Sequence, residues 1–165
     1  MPDLNSITLG EYADLETFIK MGIEQHLPEV MAVLYRPVTE KTDSGVYTIE
    51  KYGGDLTIRA EQMKKMTAEQ VQSALVFFYN FVNASLLTLE SFLTQAEGNE
   101  DSIVSESVSE KWGWFGVMHR LCKEDISKLE GITNLGLLEC LTWLSYETDL
   151  NESEKTKLNG KQQNL

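Results

Sequence analysis

The stretch that most constrains this chain is Thr67 to Thr94, TAEQVQSALVFFYNFVNASLLTLESFLT. It has no Gly and no Pro, the two strongest helix breakers. Thr67 and Gln70 stand at the spacing of a capping box, in which each side chain satisfies the other residue's backbone N–H. Val71, Ala74, Leu75, Phe78, Val82, Leu86, Leu89 and Leu93 recur at intervals of three and four and share one helical face. Val76, Phe77, Phe81 and Phe92 widen that face, so the helix is expected to be buried on several sides. At about 1.5 Å per residue it runs roughly 40 Å, the width of a small domain. The fold expected is mainly α, a helical bundle around one long central helix.

The flanking sequence supplies shorter elements. Thr8 and Glu11 form a second capping-box pattern, followed by Tyr12, Leu15, Phe18 and Ile19 on one face. Gly22 weakens that helix, Pro28 suits the first turn of a new one, and Pro37 stops it. Val30, Met31, Val33, Leu34 and Tyr35 make this second helix strongly apolar. Between residues 38 and 50, β-branched and aromatic residues flank Asp43-Ser44-Gly45, which predicts a small β-hairpin. A short helix with Leu56, Ala60 and Met63 inward precedes the central one. Residues 95–110 are rich in acids and serines and carry no basic residue. They read as a flexible loop, either an ordinary connection or a partner-docking segment. Lys111 to Lys123 returns to helix, with Trp112, Phe115, Met118, Leu121 and Cys122 on one face and Trp114 beside it. A last helix, capped at Thr133 or Asn134, carries Leu137, Leu138, Leu141, Leu144 and Trp143. Residues 1–148 are expected to form a single domain, and 149–165 a polar, disordered tail.

Charge narrows the partners. A formal net charge of −12 over 165 residues argues against nucleic acid and against an anionic membrane surface. The N-terminal stretch MPDLNSITLGEYADLE has no apolar run of the kind a signal peptide needs. Asn80, Asn83, Ser85, Thr88 and Glu90 interrupt the apolar helix, so no membrane span is expected. Cys122 and Cys140 are too few for a disulfide framework.

Catalytic chemistry finds little footing. His119 and Cys122 lie three apart and, with Cys140, make an incomplete metal site without a close-spaced cysteine pair. The same group read as a Cys–His nucleophile pair lacks an exposing elbow or helix N-terminus. Gly53-Gly54 and the Gly113/Gly116 pair match no phosphate loop. WGWFG is an aromatic helix start without a basic groove, which fits core packing or a protein interface better than base stacking. No cofactor and no metal are expected, and no enzymatic activity. The candidate contact residues are Trp112, Trp114, Phe115, Met31, Met63 and Met66, because aromatic and flexible thioether side chains suit adaptable binding surfaces.

Several phrases, in order, carry a family resemblance: ITLGEYADLETFI, LPEVMAVLYRPV, YTIEKYGG, LVFFYNFVNASLLTL, the WGWFGVMHRLCKEDISKLEGI block and LLECLTWLSYETDLNESE. Together, over residues 7 to 155, they resemble phage tail assembly chaperones and their relatives encoded near tail genes. The resemblance implies a non-enzymatic, acidic, helical protein of the host cytoplasm. Its implied partners are the tape-measure protein, which it coats, and the tail-tube protein, with a homo-oligomer as a further possibility. It also implies a longer frameshifted form. The alternative is a permanent virion part, a tail or head-tail connector subunit. A third reading, an enzyme built on His119 with Cys122 or Cys140, stands apart from the resemblance.

Overall fold

A computed structural model describes residues 7–53, 55–96 and 112–162. The described chain is mainly helical with one small two-stranded antiparallel sheet. It divides into two compact units, residues 1–81 and 82–165. Residues 1–148, read from the sequence as one domain, are distributed over both.

In the first unit, α1 spans Leu9–Gly22. Its capping box is formed as expected: the Thr8 N–H donates to Glu11 Oε2 at 2.7 Å, and the Glu11 N–H donates to Thr8 Oγ1 at 3.3 Å. Gly22 ends the helix with φ +114°, a conformation that side-chain-bearing residues rarely adopt. Helix α2, Leu27–Leu34, starts with Pro28 in its first turn and buries Val30 through Leu34 against α1 and α3. A helix apolar all round has to be enclosed, and this one is. The hairpin pairs β1, Val38–Lys41, with β2, Tyr47–Ile49, in the register Val38↔Ile49, Glu40↔Thr48 and Lys41↔Tyr47, with a bulge between Val38 and Glu40. Gly45, at φ +83°, turns the chain. Helix α3, Thr57–Met63, turns Leu56 and Ala60 into the core. The Asp55 carboxylate accepts the Thr57 N–H at 3.0 Å, and that bond holds its pKa below the usual carboxylate range.

Charged side chains tie these pieces together. Arg36 Nε donates to Glu11 Oε1 at 2.7 Å, with both side chains buried. Arg36 Nη1 donates to the Glu50 carbonyl at 3.0 Å, and Arg59 Nη2 meets the Glu50 carboxylate at 2.6 Å. Tyr52 Oη donates to Asp14 Oδ2 at 2.5 Å. The hairpin is largely solvent-exposed, and a lone hairpin is marginal in water. These bonds anchor its far end to α1 and α3.

Helix α4, Ala68–Ala96, forms over the stretch that the sequence singled out, and contributes residues to both units. Its capping box is present: the Thr67 N–H donates to Gln70 Oε1 at 3.0 Å and the Gln70 N–H to Thr67 Oγ1 at 3.3 Å. Its expected role as a helix buried on several sides is corrected. Among residues 68–83, Ala74 and Phe78 are buried and Val71, Leu75 and Val82 half-buried, while Val76, Phe77 and Tyr79 are exposed. Burial is fullest on the three-four stripe; of the residues that widen it, Phe81 is half-buried while Val76 and Phe77 are exposed. The side chains of Leu86, Leu89, Phe92 and Leu93 lie outside the described residues, as does the acidic stretch beyond Ala96.

The second unit holds α5, Trp114–Cys122; a 3-10 turn, Ile126–Lys128; α6, Leu129–Thr133; and α7, Leu137–Gln162. Gly113 precedes α5 at φ +46°, ψ −125°, a backbone geometry that in practice only glycine adopts. Thr133 and Asn134 do not cap the last helix. Both side chains donate to the Glu130 carbonyl and close α6 instead, and α7 begins at Leu137. Leu137, Cys140 and Leu141 are its buried residues, and Cys122 of α5 is buried as well. Helix α7 continues through 149–162, where the sequence reading places a disordered tail. Glu, Lys, Leu and Gln, all good helix formers, outnumber the Asp, Asn, Ser, Thr and Gly residues of that stretch, whose helix propensity is lower.

Candidate functional site

Three places have the chemistry to be a site. The first is the His119, Cys122 and Cys140 group. His119 is exposed, whereas both cysteines are free and buried. Burial pushes the Cys140 thiol up to about 11, with Glu139 adding to the effect. A nucleophilic cysteine requires the opposite shift, toward the thiolate. Among the described residues no cluster of three or more His, Cys, Asp or Glu side chains is placed to hold a metal ion.

The second is an open groove of about 330 Å³ in the first unit, lined by Asp14, Phe18, Glu29 and Asp55 and by residues at the start and middle of α3, among them Ala60 and Glu61. Three of its four carboxylates have local partners. Asp14 accepts the Tyr52 hydroxyl, Asp55 accepts the Thr57 N–H at the start of α3, and Glu61 pairs with Lys64 one helical turn on. Glu29 Oε2 is a buried oxygen with no hydrogen-bond partner. The groove therefore offers negative potential without a formed set of ligands.

The third is apolar and lies on helix surfaces. At the start of α5, Trp112 and Phe115 are both exposed, their rings 5.7 Å apart and tilted by 42°. Trp114 is half-buried. On α7, Leu138, Trp143, Tyr146 and Leu150 are exposed, while Leu137, Cys140 and Leu141 face the core. The helix is thus apolar on two opposite faces. A monomer needs only one of them for its own packing. Arg120 reaches from α5 to the flank of α7, where its Nε meets Glu147 Oε2 at 2.8 Å and its Nη2 meets Thr148 Oγ1 at 3.3 Å. That bridge holds α5 beside α7.

The methionines divide. Met31 is 1% exposed and belongs to the core of α2, so it is removed from the contact set. Its neighbours Val30, Ala32 and Val33 show why: every side of α2 is enclosed. Met63 and Met66 are half-buried, at the end of α3 and just after it. The sequence reading missed Tyr146 and Leu150, and it grouped Leu138, with Trp143 as an optional member, on one apolar face with Leu137, Leu141 and Leu144, whereas Leu138 and Trp143 are exposed. A stricter count would have found the second face: Trp143, Tyr146 and Leu150 follow one another at three and four, out of phase with Leu137, Leu141 and Leu144.

No protein-family model, no curated protein and no solved structure matches this chain. No helix among the described residues is long and apolar enough to cross a membrane.

Proposed function

We propose that this chain is a non-enzymatic protein that holds another polypeptide on exposed apolar helix surfaces, in the manner of a phage tail assembly chaperone. The observation that supports it is the set of large aromatic side chains left in solvent on the second unit: Trp112, Phe115, Trp143 and Tyr146. Tryptophan and tyrosine dominate the energetics of protein interfaces because they bury much area with few rotatable bonds. Single exposed apolar residues are ordinary, whereas aromatic residues repeated along a helix mark a contact surface. The exposed His119 and the buried Cys122 and Cys140, the latter with its thiol pKa raised, count against the enzyme reading built on them.

In this reading the client is the tape-measure protein, a long helical chain whose apolar faces need cover until the tail tube closes round it. The chaperone acts in the host cytoplasm and leaves before the tail is complete. Coexpression with the tape-measure protein tests this: a soluble complex that co-purifies is expected, and a client that stays insoluble and never co-purifies overturns it. Mass spectrometry of purified particles separates a chaperone, which is absent, from a structural tail or connector subunit, which is present.

A further inference from the structure

The outward face of α7 combines apolar side chains with a single sign of charge. Successive helical residues turn by about 100°, which places Leu138, Tyr146, Leu150 and Trp143 within about 140° of one another. Trp143 and Tyr146 are 57% and 65% exposed. Glu139 and Asp149, both exposed, fall on the same face by the same count. From Leu137 to Asn151 there is no Lys, Arg or His. Arg120 arrives from α5, but it reaches the flank, where Glu147 and Thr148 take its guanidinium.

We infer that this face docks a Lys- or Arg-bearing amphipathic helix of a partner protein. The inference rests on the polypeptide-binding reading above and specifies the partner's chemistry. The aromatic residues supply the apolar contact, and Glu139 and Asp149 select for cations at its edge. A second copy of this chain is a poor occupant. Antiparallel self-pairing sets Glu139 opposite Asp149 of the other copy, and parallel pairing sets each acid against itself, so either register juxtaposes like charges. Leu138 to Leu150 covers roughly 18 Å, which a partner helix of about 12–16 residues spans.

The test uses the full chain and labelled synthetic peptides of about 16 residues that share one leucine stripe at helical spacing. One peptide carries lysines beside the stripe, a second carries glutamates in their place, and a third is the lysine peptide scrambled. Fluorescence anisotropy is expected to show binding of the lysine peptide alone, weakening as salt rises. Trp143→Ala with Tyr146→Ala should cost about tenfold or more in affinity. Both side chains are exposed, so retained circular dichroism and Tm verify the fold. Glu139→Lys with Asp149→Lys should transfer binding to the glutamate peptide. Equal binding of the lysine and glutamate peptides, or unchanged affinity in the Trp143/Tyr146 variant, overturns the assignment. So does a concentration-dependent dimer in sedimentation that Tyr146→Ala abolishes, since the occupant is then a second copy. The two levels separate in coexpression. A client still held by the Trp143/Tyr146 variant removes the α7 face and leaves the general reading standing, whereas a client held by neither protein removes that reading.

Discussion

At the scale of single residues, the most informative groups are two phenols, Tyr12, which is buried, and Tyr52, which is half-buried. Burial, with Glu16 nearby, pushes Tyr12 up to about 12. Burial also raises Tyr52, and its hydrogen bond to Asp14 adds to the shift. An unfolded tyrosine ionises near pH 10. Between pH 10 and 12 the unfolded chain therefore sheds phenolic protons that the folded chain keeps, and the stability of the native state falls as pH rises. Below pH 10 the contribution of both groups is complete. Denaturant unfolding at stepped pH should show this loss beginning near pH 10, and Tyr52→Phe should make it shallower. A Tyr52→Phe curve parallel to wild type contradicts the carboxylate-bonded position of that hydroxyl.

At the scale of elements, what was legible in the sequence was what is local. Both capping boxes, Thr8 with Glu11 and Thr67 with Gln70, formed as read, because their partners lie three residues apart and need no tertiary structure. The hairpin was legible for the same reason: Gly45 supplies the turn and β-branched residues flank it. The Glu11–Arg36 pair was invisible, although each residue was in plain view, because it depends on how α1 and the segment after α2 come together. The face that α4 buries and the second apolar face of α7 were misread on the same ground. Periodicity shows that a stripe exists but not what covers it. Arg36 gives this scale its prediction. It joins α1 to the end of the hairpin, and its removal strands the Glu11 carboxylate in the core. Arg36→Ala should cost about 3–5 kcal/mol in chemical denaturation. Lys20→Ala, which breaks the exposed pair with Glu16, should cost below about 1 kcal/mol. Equal effects would mean that the Glu11–Arg36 pair is solvated.

At the scale of the whole molecule, a strongly acidic chain carries, among the described residues, both exposed tryptophans, Trp112 and Trp143, and its most exposed tyrosine, Tyr146, in one unit. Net negative charge keeps such a surface from collapsing onto copies of itself, while the aromatic faces stay available to a partner of opposite charge. The candidate site was half legible: WGWFG announced Trp112 and Phe115, while Trp143 and Tyr146 were readable only as a second apolar stripe, whose exposure depends on which side of α7 is buried. The central claim is that these faces hold another polypeptide. Site-specific photocrosslinking tests it most directly, with a photoreactive phenylalanine analogue at position 143, 146 or 115, or at the exposed control position Lys20, in cells producing the phage tail proteins. The account predicts adducts to the tape-measure protein from the three aromatic positions and none from position 20. Three aromatic positions that give no adduct to any polypeptide, or that match the control, would contradict it.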